Sequence, residues 1–331
     1  MVDTLDRQII HALQHSPRAS FRRIGAVVGV SEQTVARRYQ ALRRDGVVRV
    51  LGRIAPAAHG HSEWVARISC RPDRVNTLAH ALIGRPDIYF AHITSGGAEI
   101  ICIVHSPADG PHDDVLLQQL PKAVSVLNVH IDLLLHGFGP GRTSNWVGYD
   151  DRLTPEQEQQ LTADRIEPVG ETVEFTSEDA ALLAVLTEDG RAGHTQLAAA
   201  TGWSKGRVAR RLEALEAAGT LFYDVDLLPD RLGYHMHATV WLRVAPHHLE
   251  GVGEELARHE ETAFVGAVSG PHNIMAVVIC RNSEELYGYL TTRVATIQAI
   301  DGYEVSIRVR RLKQAGSVVT RGRLVPPSAH R

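Results

Sequence analysis

The sequence predicts an α+β protein made of two copies of one unit, each a helical head followed by a body that alternates strand and helix. Three observations lead there. Residues 5–48, moved forward by 173 positions, fall on 178–221 without a gap. Apolar residues in each head recur at helical spacing and stop at glycines, whereas those of each body run in short β-branched stretches. The composition is that of a folded chain: of 331 residues, 44% are hydrophobic and 22% charged, which excludes disorder as the main state.

The repeat is a matter of particular residues. Asp6 matches Asp179, Arg18 matches Arg191, Ser31 matches Ser204, Arg37-Arg38 matches Arg210-Arg211 and Gly46 matches Gly219. With one inserted residue the match continues into the bodies, where Pro72 falls on Pro246 and Ser95-Gly96 on Ser269-Gly270. The expected organisation is a first head at 1–54, a first body at 61–138 and a linker at 139–175. A second head at 176–228, a second body at 234–314 and an unstructured tail at 315–331 complete it.

In the first head, Leu5, Ile9, Ala12 and Leu13 lie on one face of a helix that ends at Pro17. Ile24, Val27 and Val28 mark a second helix, stopped at Gly29. Ser31 caps a third, whose inward stripe is Val35, Tyr39 and Leu42 and whose end is Gly46. Two short helices around a glycine turn, the second with a Ser at its N-cap, are a helix-turn-helix pattern. The second head repeats it with Leu182, Leu186, Leu197, Gly202, Ser204, Val208, Leu212, Leu215 and Gly219. A β-branched strand follows each head, at 47–54 and 220–228. The first body reads as strands 63–70, 87–95, 98–105 and 125–136 with helices at 73–83 and 113–120. The second repeats the order over 236–310. This β-α-β-β-α-β order is ferredoxin-like. Within the linker, Thr154-Pro155-Glu156-Gln157 predicts one short helix, with an N-cap, a proline at its first position and a capping-box glutamine.

Charge is uneven. Residues 1–54 carry ten arginines against Asp3, Asp6, Glu32 and Asp45, a local excess of +6 in a chain whose net charge is −3. Such a segment suits a polyanion such as nucleic acid; a solvated charged face is the alternative. Cys70, Cys102 and Cys280 sit in apolar runs without a CxxC pair and read as buried thiols. There is no run of about 18 apolar residues and no signal-like start, so a cytoplasmic protein that touches no membrane is expected. The phosphate-loop, zinc-protease and nucleophile-elbow motifs are missing, and His59/His61, His235/His237 and His247/His248 lack partners at ligand spacing. No metal, cofactor or catalytic activity is expected.

The stretch Val30-Ser31-Glu32-Gln33-Thr34-Val35-Ala36-Arg37-Arg38-Tyr39-Gln40-Ala41-Leu42-Arg43-Arg44-Asp45-Gly46-Val47-Val48 resembles the recognition helix and strand entry of the Lrp/AsnC transcription regulators. Leu5-Asp6-Arg7-Gln8-Ile9-Ile10 and Asp189-Gly190-Arg191 resemble that family's first helix and the turn after it. The resemblance covers both units and implies a tandem regulator that binds double-stranded DNA, senses an amino-acid-like effector and forms homo-oligomers. With Val35, Tyr39 and Leu42 inward, Gln33, Arg37 and Arg44 project outward, flanked by Thr34 and Arg38. Gln and Arg suit adenine and guanine edges in the major groove. The second head offers Lys205, Arg207, Arg210 and Arg211, while Gly206 can make no side-chain contact. Arg38 and Arg211 lie beside the inward stripe, each matched to an acid of the first helix, so a structural ion pair and a phosphate contact are both open.

In the bodies, the resemblance places part of an effector site at the loop between the middle strands. Gly96, Gly97 and Glu99 stand there in the first copy, and Gly270, His272 and Asn273 in the second. Glu99 could pair with an ammonium group; Asn273 keeps only hydrogen bonding. Siroheme decarboxylases resemble the same architecture, sometimes as fused tandem units, and would use His and Arg of the body cleft on a tetrapyrrole. A basic recognition helix in both copies has no evident purpose in such an enzyme, which favours the regulator.

Overall fold

The computed structural model describes residues 2–55, 60–107, 126–139, 146–162 and 173–326. In chain order its elements begin with helices α1 (Thr4–His15), α2 (Phe21–Val28) and α3 (Glu32–Arg44) and strands β1 (Val48–Ile54) and β2 (His61–Cys70). Then come α4 (Val75–Ile83), β3 (Ile88–Thr94), β4 (Glu99–Pro107), β5 (Val126–Phe138) and α5 (Pro155–Thr162). The second copy supplies α6 (Ala180–Glu188), α7 (His194–Thr201), α8 (Lys205–Ala217), β6 (Leu221–Leu227), β7 (Met236–Val244), α9 (Leu249–Ala257), β8 (Thr262–Val268), β9 (Ile274–Cys280) and α10 (Ser283–Thr292). The chain ends with β10 (Ile300–Gln314), β11 (Ser317–Thr320) and β12 (Arg323–Val325). The helix expected at 113–120 lies outside the described residues.

The compact units are not the two sequence copies. Among the described residues, one unit gathers both heads (2–55, 60, 150–162, 173–228 and 322–326), and the other gathers both bodies (61–107, 126–139, 146–149 and 229–321). The fusion has paired like with like.

Local chemistry fixes the heads. Asp3 and Asp6 form a capping box on α1, and Ser20, Ser31 and Ser204 each accept a backbone N–H at a helix start. Gly29 and Gly202 hold the left-handed conformation at φ +77° and +72° that turns each head into its recognition helix, α3 or α8. Val35, Tyr39 and Leu42, and likewise Val208, Leu212 and Leu215, are buried. The heads join through an antiparallel ribbon in which β1 pairs with β6 from Val48↔Leu227 to Ile54↔Leu221. Helix α5 has the expected capping box, with Thr154 N–H donating to Gln157 Oε1 at 2.9 Å. It packs on α1 and α2, burying Leu153 and Leu161, so this part of the linker is a fourth helix of the first head.

The tail corrects the sequence reading. Residues 317–320 and 323–325 are strands, because Val318 and Leu324 bury their side chains. Leu324 N–H donates to the Gly46 carbonyl at 2.8 Å, and a Cβ on Gly46 would stand 2.7 Å from the Cβ of Arg323.

Each body is an antiparallel ferredoxin-like sheet, ordered β5-β2-β4-β3 in the first copy and β10-β7-β9-β8 in the second. The long strands stitch them together. Strand β5 pairs with β2 up to Leu133 and with β8 from Leu134. Strand β10 pairs with β7 up to Ile307 and with β3 from Arg308. One face carries the core under α9 and α10, where Val240, Leu242, Ile274 and Leu256 are buried. Between the two sheets lies a second apolar cluster of Val65, Ile101, Ile103, Trp241, Val268 and Met275.

Candidate functional site

On α3, Gln33, Arg37 and Arg44 are exposed and Thr34 is half-buried, as the inward stripe requires. On α8, Lys205, Arg207 and Arg210 are exposed. Among the described residues, neither a hydrogen bond nor an ion pair engages Gln33, Arg37, Lys205 or Arg210. Arg210 lies over Gly206, its guanidinium 3.6 Å from where a Cβ would stand. Arg207 is drawn aside: it donates to Glu178 at 2.6 Å and sits 4.2 Å from the centre of the Trp203 ring.

Arg38 and Arg211 are turned to α1 and to the turn before α6. Arg211 grips Asp179 with two bonds of 2.6 and 2.8 Å. Arg38 lies 2.7 Å from Asp3 and 3.4 Å from Asp6. The two copies differ electrically. Burial pushes the Asp179 carboxyl up, but Arg211 and the Thr176 backbone outweigh it and leave the pKa below the usual value. Burial also pushes Asp6 up, the charge of Asp3 adds to the rise, and the Asp3 backbone and Arg38 offset it only in part, which leaves the pKa raised.

Part of the basic excess in residues 1–54 serves the head pair and not an external polyanion. Arg18 donates to the Gly190 and Ala192 carbonyls at 2.5 and 3.1 Å, while its repeat mate Arg191 donates to those of Pro17 and Ala19 at 2.5 and 2.7 Å. Arg191 also lies 4.5 Å from the Phe21 ring centre. Arg53 bonds Asp224 at 3.0 Å with both groups buried, and buried Arg49 stands opposite Asp226. Gly190 is required here: a Cβ would come within 2.8 Å of the Leu51 backbone.

The loop residues of the bodies meet different fates. Gly96 and Gly97 adopt φ +69° and +92° with open space around them, a turn that glycine alone makes without strain. Asn273 does not face a ligand: its amide makes two bonds with the Val244 backbone, at 2.9 and 2.7 Å. Gly270 lets Asp132 approach, 2.5 Å from where its Cβ would stand. Glu99 and His272 do line a cavity of about 320 Å3. With them stand Arg67, His130, Asp132, Trp241 and Glu304, which the sequence reading missed. The available signal was a charged residue at every second position inside apolar strands: His130 and Asp132 on β5, Glu304 on β10. Arg67 donates to Glu99 at 3.2 Å and to Glu304 at 2.5 Å, and lies 4.7 Å from the Trp241 ring centre. Thr94 holds the other Glu99 oxygen at 2.8 Å, and His130 meets Asp132 at 3.0 Å.

A second polar group of the bodies is basic. Arg311 stands opposite His92 where β10 meets β3, and Arg308 follows on β10 directly after the stretch paired with β7. Buried His237, on β7, approaches Asp230 at 3.5 Å and leaves its Nδ1 without a partner. Burial, helped by Arg308 and Arg311, pushes both imidazoles down to about 3. In the heads, His11, His15 and Glu158 bring possible metal-ligating atoms within 4.8 Å, a trio whose i, i+4 histidine spacing was legible and overlooked. His11 Nδ1 accepts the Leu153 N–H at 3.1 Å, which places the ring proton on Nε2, 3.3 Å from His15 Nε2. That tautomer offers a metal no lone pair on His11, and the trio acts as a hydrogen-bonded polar contact between α1 and α5.

Comparison with known proteins matches this geometry at two levels. The AsnC-type helix-turn-helix domain matches residues 2–43 and 177–216, and the Lrp/AsnC ligand binding domain matches 237–318. The HTH-type transcriptional regulator LrpA of Pyrococcus horikoshii is 29% identical over 136 residues, 41% of this chain and 96% of its own length. The regulator FL11 of Pyrococcus abyssi is 24% identical over 137 residues, 41% of this chain and 90% of its own. Among solved structures, the siroheme decarboxylase NirDL aligns over 95% of this chain and 93% of its own, with a TM-score of 0.62 and 13% identity. It has also been solved in co-complex with an iron-uroporphyrin III analogue. This likeness shows a shared fold, and it corrects the expectation that the chain is no enzyme: the two-unit architecture over nearly its whole length is one that an enzyme uses. No helix among the described residues is long and apolar enough to cross a membrane. With family heads in both copies and a family ligand-binding domain in its second, the chain belongs to the Lrp/AsnC family, in a tandem form that carries two units in one polypeptide.

Proposed function

We propose that the protein is a DNA-binding transcription regulator whose bodies sense a small molecule and assemble into homo-oligomers. The observation that carries this reading is the pair of Ser-capped recognition helices in one compact unit, with Gln33 and Arg37 exposed on one and Lys205 and Arg210 on the other. Free N–H groups at a helix start suit phosphate, and Gln and Arg suit base edges. Arg38 and Arg211 position the heads through their acids; Arg207, tied to Glu178, contacts DNA only after that pair opens. The first head is the sharper reader, because Gly206 and the Arg207–Glu178 pair thin the contact set of the second. Selection of bound fragments from genomic DNA, followed by gel shift at several salt concentrations, tests the reading. A specific fragment held at least a thousandfold above random DNA is expected, on the order of the usual specificity ratio. Equal affinity for all fragments, or none, would defeat it.

A second reading, chemistry on a tetrapyrrole, is favoured by the whole-length likeness to NirDL and by the group His92, His237, Arg308 and Arg311. Guanidinium and imidazole groups suit the carboxylates of such a substrate. Titration of the purified chain with siroheme, followed by absorption and by release of carbon dioxide, decides it. No spectral change removes this reading and leaves the first untouched.

A further inference from the structure

We infer that the cavity around Arg67 and Trp241 is a binding site for one small organic dication per chain. The inference rests on reading the bodies as the sensing part, and it names the chemistry they would sense.

The first argument is charge. Glu99, Asp132 and Glu304 face the cavity against one guanidinium, that of Arg67, so its carboxylates outnumber its guanidinium three to one. Glu99 and Asp132 are buried, so water screens their charge poorly. A ligand carboxylate would find as its one guanidinium that of Arg67, already shared between Glu99 and Glu304. Ammonium or guanidinium groups would find three carboxylates, whose oxygens can each accept more than one hydrogen bond.

The second argument is the broken repeat. At the 174-residue offset of the bodies, Arg67 corresponds to Trp241, His130 to Glu304, Asp132 to Ser306 and Glu99 to Asn273. Arg67 and Trp241 also touch, so both stand near the axis relating the copies. In a dimer of identical chains, such positions carry the same residue twice. Fusion lets an arginine stack on a tryptophan instead and leaves Glu99, Asp132 and Glu304 with the non-acidic counterparts Asn273, Ser306 and His130. Trp241 is almost fully buried, with its Nε1–H held by Ser306 at 3.1 Å, so its ring is a fixed wall of the cavity, with the Arg67 guanidinium already on it. One asymmetric site per chain follows, where two separate chains would give two equal ones.

The third argument is size. A void of about 320 Å3 takes several times the volume of a water molecule, roughly 30 Å3. It is far larger than a bare metal ion. The one trio of convergent metal-ligating atoms among the described residues lies in the heads.

Calorimetry on the full chain with 1,4-diaminobutane, set against L-leucine, L-glutamate and magnesium chloride at equal ionic strength, tests this without DNA. Its failure therefore does not touch the DNA reading, and gel shifts do not touch this one. The expected result is one diamine per chain, no competition by magnesium, and a shift in indole emission that Trp241→Phe removes. Glu304→Gln and Asp132→Asn should each weaken binding about tenfold, a loss near 1.4 kcal/mol. Absence of both heat and emission shift in the unaltered chain would overturn the inference, whatever the variants do. So would two ligands per chain, equal binding of L-glutamate, or displacement by magnesium.

Discussion

Arg37 and Arg38 are neighbours in sequence with opposite duties, and the difference is one of direction around a helix. Arg37 points away from the stripe of Val35, Tyr39 and Leu42, whereas Arg38 lies beside it and meets Asp3 and Asp6. Arg37→Ala should cost about 1–3 kcal/mol on specific DNA and relax preference at one base position, read by competition gel shift. Equal loss on random DNA would reassign Arg37 to phosphate. The acids should also part company. Asp179, with its pKa lowered by Arg211, adds stability above the ordinary carboxylate pKa and loses it as pH falls through the lowered value. Asp6, with its pKa raised, favours the folded state when protonated and loses that contribution as pH rises through the raised value. A double-mutant cycle on Asp179 and Arg211, read by denaturant melting at neutral pH, should therefore give a clear coupling energy, and the same cycle on Asp6 and Arg38 a smaller one. Equal couplings would refute this reading of the two pairs. A further pH effect comes from His11, His92 and His237, each pushed to about 3 chiefly by burial. They take up protons on unfolding once the pH drops below about 6.5, so stability should fall from there toward pH 3. His11→Gln should flatten that slope, as melts across the range would show.

Among the elements, the ribbon of β1 and β6 and the exchanged arginines govern how the heads act. Arg18 and Arg191 each hold two carbonyls of the opposite head, in a reciprocal arrangement that the sequence repeat alone could not reveal. Hydrogen bonds to charged donors contribute about 1.5–3 kcal/mol. Arg18→Ala and Arg191→Ala should each destabilise the head unit by about that amount, as denaturant melts would read. They should also blunt the dependence of DNA affinity on half-site spacing. Unchanged stability would mean that the ribbon alone carries the pairing. Strand β12 invites a parallel test, because a region expected to be unstructured is bonded to the Gly46 carbonyl at the end of α3. Leu324→Ala, at a buried position, should cost about 2–5 kcal/mol in the same melts.

For the whole molecule, covalent fusion allows the two copies to diverge while the pairing of like parts persists. A bound DNA should therefore carry two half-sites about one helical turn, roughly 34 Å, or a multiple of it apart. The halves should match imperfectly, since Gln33-Thr34 in one head answers to Gly206-Arg207 in the other. Footprinting that protects a single half-site would remove the second head from the interface. The bodies show the same divergence, with a charged cavity where Arg67 meets Trp241 and a structural clamp at Asn273.

The sequence by itself determined the local structure. Glycine stops, serine caps and two periodicities placed the helices and most of the strands, and the repeat announced two copies. These signals are local, because a cap or an inward stripe acts over a few residues. It also exposed the recognition helices, since a helix with one apolar stripe must show its other face. The tertiary structure alone decided how the copies combine: head with head, body with body, and an arginine exchange between the turns after α1 and α6. It alone separated the arginines that face outward from Arg18, Arg49 and Arg53, which are spent inside the head pair. It alone assembled the cavity, drawing Arg67, Asp132, Trp241 and Glu304 from strands far apart in the chain. The reason is physical. A residue's neighbours along the chain settle its helix or strand, but the partner of a charge is settled by whatever folding brings across the sheet.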